Sequence, residues 1–433
     1  MKRIGEYSFA LILFLFLINA NLYIPVINLT FPVYDIIIVF LFFYFTASNS
    51  KKNTIYTLNC NYLKFISFSL AFISFLILAS IIAGLLLYGD NILIKDLFSI
   101  LIPIRLILFV IVGANLASMD YHYIVGNRRI VFFIILFGAS YSIGISLLQY
   151  FYIIGFKIPI ISEFSMSFIP ERYYNFRIVG PSGNPNWNSF DLNLILVISF
   201  ALFKSAVNRK SNKTFYTTLM IIIILLLVSL LFITLSRTGI ITLLSLLFFL
   251  IYSMLRKTNI KNYIAVFLLM FFFYKIASIL ISENKEIVNK RIENTLKFEE
   301  AGQRAHLWSS RIENSSKRFP FGVGPSRNSL SDIVDSQFVL TYGDSGFFGV
   351  ITYLLIICYL IIKPLFLMTN KIQPYQSILL YIVISLGMIM FFYSVTAEFM
   401  RNMRASSILL LLHSFFYYKF IVIRKTTYLK QYS

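Results

Sequence analysis

Long apolar runs recur along this chain, and they dictate the solvent it folds in. Phe65 to Leu87, Ile130 to Ile145, Phe215 to Leu235 and Ala405 to Ile423 approach the roughly 20 residues that a helix needs to cross about 30 Å of hydrocarbon. Strands of a membrane barrel would alternate apolar and polar residues, and these runs do not. Helices therefore remain as the way to satisfy every buried backbone N–H and C=O within the segment itself. Composition agrees: 58% of the 433 residues are hydrophobic and 13% charged, against roughly 45–50% and about 25% in a soluble domain. The expected fold is all-α, a polytopic helical membrane protein forming a single multi-pass domain over 1–433.

Cutting the chain at its charged and Pro/Gly-rich breaks gives about 12 transmembrane helices. They start near Tyr7, Val33, Phe65, Phe98, Ile130, Phe190, Phe215, Gly239, Tyr263, Gly346, Tyr375 and Ala405. An even count puts both termini on one side. The connections on that side carry Lys51, Lys52 and Lys64, then Arg128 and Arg129, then Lys204, Arg209, Lys210 and Lys213. Arg256, Lys257 and Lys261 follow, then Lys363 and Lys371, with Arg424, Lys425 and Lys430 in the tail. Lys and Arg gather in short cytoplasmic loops, so both termini are expected in the cytoplasm. The net charge of +20 is then mostly a topological signal, and nucleic acid is not an expected partner. Lys2 and Arg3 before the first run open a signal anchor, because Leu17 to Leu22 makes a poor cleavage site. Cys60 and Cys358 lie far apart and imply neither a disulfide framework nor a metal cluster.

Two segments on the outer face are too long and too polar to be simple connectors. They are an external loop over 155–189 and a large external loop over 282–341, between spans nine and ten. In the larger, Glu286 with Lys290 and Glu293 with Lys297 have the spacing of helical ion pairs, and Val288, Ile292 and Leu296 share a face. A surface helix is expected there. The smaller loop carries Arg177-Ile-Val-Gly-Pro-Ser-Gly-Asn-Pro-Asn-Trp-Asn-Ser189. Gly183 to Pro185 suits a tight turn, and Asn186, Asn188 or Ser189 can cap the helix that follows. Two readings stand: a capped re-entry turn, or a helix N-terminus that receives an anion beside Arg177.

Ser236-Arg237-Thr238-Gly239 interrupts an otherwise apolar stretch, and a hairpin or short break at the outer interface is expected. An arginine at membrane depth is costly unless paired, which makes Arg237 a functional candidate, although it can also snorkel to the surface. Arg105 in the fourth span is a similar case. Further on, Arg304, Trp308 and Arg311 fall on one face if their segment is helical. Arginine suits phosphate because its planar fork donates two parallel hydrogen bonds and stays ionised. A solvated basic helix with an anchoring Trp is the plain alternative.

Taken in order, these blocks resemble the bacterial O-antigen ligase and O-antigen polymerase superfamily. The resemblance spans about 170 to 360: Arg177 with Gly180 and Gly183-Asn-Pro-Asn186, then Ser236-Arg237-Thr238-Gly239, then Arg304 and Trp308, then Pro320-Phe-Gly-Val-Gly-Pro325, then Asp335 and a helix entry at Gly346-Phe-Phe-Gly349. It implies metal-independent glycosyl transfer on the outer face of the cytoplasmic membrane, with no cofactor. Donor and acceptor would be undecaprenyl-pyrophosphate-linked oligosaccharides, membrane lipid would be a second partner, and a chain-length regulator a third. Ligases of the family carry a His where this chain has Asp335, eleven residues before Gly346. The departure favours a polymerase. His122, His306 and His413 do not fill that slot.

The chemistry has its own logic. A sugar hydroxyl attacks the anomeric carbon while a lipid pyrophosphate leaves with growing negative charge, and fixed guanidiniums facing that charge supply the stabilisation. Arg177, Arg237 and Arg304 are the catalytic candidates for it, and Asp335 is the candidate base, with Asp332 and Asp344 as alternatives. Asp335 could equally cap a helix or pair with an arginine. Arg311, Asn186, Trp308 and Gly324 are the substrate-binding candidates. No Asp-x-Asp pair, phosphate loop or His/Cys cluster is present in the sequence, which argues against nucleotide-driven chemistry. A ligase and a flippase for lipid-linked oligosaccharide are the alternatives. A flippase would show paired broken helices in two related halves, whereas the polar residues here concentrate in two loops.

Overall fold

Helices should begin where the apolar runs begin and stop where charge, Gly or Pro intervenes. The computed structural model describes residues 2–24, 29–49, 60–119, 129–158, 160–167, 178–207, 213–255, 299–325, 336–368, 374–397, 399–400 and 402–432. A helix lies at every expected span start except Tyr263, which falls outside the described residues along with the expected surface helix at 286–297. The helices are α1 (Lys2–Leu17), α2 (Val33–Asn49), α3 (Asn61–Tyr88), α4 (Ile94–Met119), α5 (Arg129–Ile153), α6 (Ile161–Met166), α7 (Pro185–Val207), α8 (Lys213–Ile233) and α9 (Arg237–Leu255). They continue as α10 (Glu299–Ser316), α11 (Gln337–Leu367), α12 (Pro374–Thr396) and α13 (Met403–Tyr432).

The fold is helical, as expected, with one short ribbon besides among the described residues: β1 (Asn21–Ile24) pairs antiparallel with β2 (Leu29–Pro32), Asn21 opposite Pro32. Tyr23, Ile24, Thr30 and Phe31 favour strand, while Pro25 and Pro32 bar a continuing helix. Of the about 12 expected spans, five are fully long and apolar enough among the described residues: Asn61–Tyr88, Asp96–Ser118, Gln337–Leu367, Gln376–Thr396 and Arg404–Arg424. Ser8–Leu17, Val33–Ala47, Ile222–Ile233 and Arg237–Phe249 are shorter apolar helices.

The chain divides into two compact units. One comprises Met1–Ile135 with Gln303–Ser433. Within it, α13 packs most extensively on α4, α3 packs on α4 and α11, and α12 lies against both α11 and α13. Rings fill its interior, as where Phe9 stacks on Phe415 at 4.4 Å. An unpaired charge would be costly at membrane depth. Arg105 donates from Nε and Nη2 to both carboxylate oxygens of Asp35, at 2.8 and 2.7 Å. That ion pair accounts for the fourth-span arginine. Buried His413 meets the Tyr62 hydroxyl and the Leu360 carbonyl through Nε2, each at 3.3 Å. The other unit, Leu136–Gly302, is built on α7, which packs against α8 and α9.

Candidate functional site

In the second unit, α7 and α9 begin beside one another, and the residues that start them are bonded together. Asn184 caps α7, its Oδ1 accepting the Asn186 N–H at 2.8 Å, with Pro185 as the first helical residue. This is the favoured order, since proline lacks a donor that the first turn could not use. It corrects the sequence expectation, which put the cap at Asn186, Asn188 or Ser189; those three lie inside the helix. Leu235, with φ 49, turns the chain between α8 and α9. Ser236 then caps α9, its Oγ accepting the Gly239 N–H at 3.2 Å.

The two caps share a network. Ser236 Oγ donates to Asn186 Oδ1 at 3.0 Å, and Ser189 Oγ donates to Ser236 Oγ at 3.0 Å. One and two turns further along α7, Asn193 Nδ2 donates to the carbonyls of Ser189 and Gly239, at 3.0 and 3.1 Å. The helices approach so closely that a Cβ on Gly239 would stand 2.4 Å from the Ser189 Cβ. Arg237, the first residue of α9, is exposed, whereas Ser236, Thr238 and Gly239 around it are buried. Two capped helix N-termini thus set the positive ends of their dipoles next to an exposed guanidinium. This arrangement favours an anion with several oxygens, such as a phosphate.

The first unit holds the remaining blocks at a break in α11. Gly346 has φ 69 and ψ −164, a region open essentially to glycine alone. The helix is interrupted there, so Gly346 is a break within Gln337–Leu367 and not the helix entry expected from sequence. The Pro320–Pro325 segment docks into that break. The Phe347 N–H donates to the Pro320 carbonyl at 3.1 Å, and the N–H groups of Val323 and Gly324 donate to the Gly343 carbonyl at 2.9 and 3.0 Å. The Gly343 carbonyl and the Phe347 N–H thus find partners across the break, as burial demands. A Cβ on Gly346 would fall 1.8 Å from the Pro320 carbonyl oxygen.

Helix α10 is held against the same stretch. Arg311 is buried, its Nη2 donating to Asp344 Oδ1 at 3.1 Å, and its guanidinium lies where a Cβ on Gly343 would be. Trp308 packs on Val339 and Leu340, with no hydrogen-bond partner for its indole N–H among the described residues. Just past α10, Arg318 pairs with Asp90 and stacks over the Tyr88 ring at 4.2 Å. Gln337 donates to Thr341 Oγ1 at 3.0 Å and accepts the Met400 N–H at 2.8 Å.

The structure therefore joins Asn186 to the Ser236–Gly239 block in one unit, and Trp308, Arg311, Gly324 and Asp344 around the broken helix in the other. Arg177, Asp332 and Asp335 lie outside the described residues, and Arg304 is described only as part of α10. Arg311, read from sequence as a substrate contact, and Asp344, an alternative base, are engaged with each other. Sequence reading passed over Asn193 and Gln149, and took Ser189 only as a possible cap. The overlooked signal was polar residues at helical spacing within apolar runs: Asn186, Ser189 and Asn193 on α7, and Ser142, Ser146 and Gln149 on α5.

Five helices of membrane-crossing length and apolarity among the described residues mark a helical membrane protein. Residues 221–354 match the family described as O-Antigen ligase. The match supports the O-antigen ligase and polymerase superfamily for this chain, without separating the two branches, and covers Arg237, Arg304, Trp308, Arg311, Gly324, Asp335 and Asp344. No curated protein matches the chain.

Proposed function

We propose that this protein is a polysaccharide polymerase. It transfers an undecaprenyl-pyrophosphate-linked oligosaccharide onto a sugar hydroxyl of another lipid-linked repeat unit, on the outer face of the bacterial cytoplasmic membrane. The observation that carries the reading is the joined start of α7 and α9, with Arg237 exposed at its edge. A leaving pyrophosphate needs fixed, positive, multi-donor surroundings, and this is the described place in the second unit that offers them. Arg237 stabilises the departing phosphate there, Arg177 is assigned the same task from its place before the α7 turn, and Arg304 is the third guanidinium. Asp335 takes the proton of the attacking hydroxyl. The bond from the anomeric carbon to the pyrophosphate oxygen breaks as the bond to the acceptor oxygen forms, and no metal is required.

The family's description favours one other reading, a ligase that passes finished glycan from the carrier to a final acceptor. The products separate the two. Deleting the gene should leave single repeat units on the surface lipid or the carrier, with the long ladder missing from polysaccharide electrophoresis. Long polymer that accumulates on the carrier without reaching its acceptor would establish the ligase and refute the polymerase.

A further inference from the structure

We infer that Gln149 is a positioning residue for this site: it fixes the backbone that leads into α7 and so sets where the α7 N-terminus stands. The inference rests on the anion-binding reading of the α7 and α9 starts and adds to it a residue that does not touch the substrate.

Gln149 lies one turn from the end of α5 and is wholly buried. A primary amide there must use its donors and acceptor or cost stability. It uses them all on backbone. Its Oε1 accepts the N–H groups of Val179 and Gly180, at 3.0 and 2.9 Å. Its Nε2 donates to the Ser165 carbonyl at 2.9 Å, with the Gly180 carbonyl at 3.5 Å. One side chain thus ties the end of α5 to the short helix α6 and to the turn that opens α7.

The neighbourhood supports the same task. Tyr152, the next residue on that face of α5, packs on Met166 and Val179. Ser146, nearly one turn back, bonds Asn188 of α7 at 3.3 Å. Gly180, with φ 56, sits against Asn188, so that a Cβ would fall 2.0 Å from Asn188 Oδ1. From Gly180 a turn of 3-10 helix, Gly180–Ser182, runs directly to the capping Asn184. A displacement at Val179 and Gly180 is therefore passed, within one tight turn, to the cap of α7 and to Asn186.

Full-length protein in liposomes with undecaprenyl-pyrophosphate-linked repeat unit tests this, reading donor affinity directly and KM for donor and acceptor from chain extension. Gln149→Met keeps length and volume but removes every polar contact. It should weaken donor affinity about tenfold, the scale of one or two lost hydrogen bonds, with acceptor KM unchanged. Gly180→Ala, approaching the same turn from the other side, should lower donor affinity as Gln149→Met does, and it decides the matter if Gln149→Met does not fold. Wild-type donor affinity in both Gln149→Met and Gly180→Ala overturns the inference, as does an equal loss in donor and acceptor parameters. Arg237→Lys in the same assay separates the two layers: if it binds donor like wild type, the anion site itself is wrong, whereas loss there with Gln149→Met unaffected removes only the role of Gln149.

Discussion

Replacing Asp344 by leucine should cost this protein a large part of its stability, and replacing Arg311 at the same time should restore most of it. The pair is buried, with side-chain exposures of 4% for Arg311 and 11% for Asp344, so solvent screens it little. Asp344→Leu leaves the guanidinium against Gly343 without its carboxylate, a change that costs about 3–5 kcal/mol for a buried pair. The double variant Arg311→Met/Asp344→Leu removes both charges and refills the space, and such swaps fall within about 1–2 kcal/mol of neutral. The two substitutions should then be non-additive by about 2 kcal/mol or more. Equilibrium unfolding of the four proteins in mixed detergent micelles measures the cycle directly. A loss under about 0.5 kcal/mol for Asp344→Leu, or a double variant equal to the sum of the singles, would refute the account of α10 as fastened to α11 through this pair. Loss of donor affinity in a well-folded double variant would instead return Arg311 to the substrate contacts.

Four further outcomes are expected. A reporter active only outside the cytoplasm should work when fused after Lys297 and fail after Lys210 or Arg256; the reverse pattern would remove the outer-face site. Arg237→Lys and Arg177→Lys keep charge but lose the planar fork, so each should abolish most chain extension at normal membrane level, as ladders on gels will read. Asp335→Asn should stop extension while the purified protein still binds the lipid-pyrophosphate donor; binding lost with activity would make this Asp an organiser of the site. Gly239→Ala drives a methyl group into Ser189 and should cost about 1–3 kcal/mol, seen as a lower melting temperature together with weaker donor binding.

The helix starts could be read from sequence because hydrocarbon imposes one requirement, a long apolar helix with its backbone bonded internally. The places where α1 to α5 and α7 to α9 begin follow from that requirement alone. What joins them does not. Asn186 and Ser236 are far apart in the chain, and each looks like an ordinary cap until the helices are seen to start side by side. Gln149 drew no attention in the sequence, since nothing local says that its partners are the backbone of Val179, Gly180 and Ser165. Gly346 looked like a beginning because an apolar run starts there and the family resemblance put a helix entry at Gly346-Phe-Phe-Gly349. Only the docked Pro320–Pro325 segment makes it an interruption. Arg311 and Asp344 were both legible as residue types suited to chemistry, and their pairing needed geometry.

The same break limits how this protein can be recombined with its relatives. The carbonyl of Gly343 and the N–H of Phe347 depend on Val323, Gly324 and Pro320, so helix and segment form a single exchangeable cassette from about 318 to 347. A chimera that takes its broken helix from one parent and the segment from another would set mismatched main-chain donors and acceptors inside an apolar interior. Crossovers placed in α10 upstream of Arg311, or in α11 beyond Gly349, leave the cassette whole and should yield folded hybrids, whereas those placed between 325 and 346 should not.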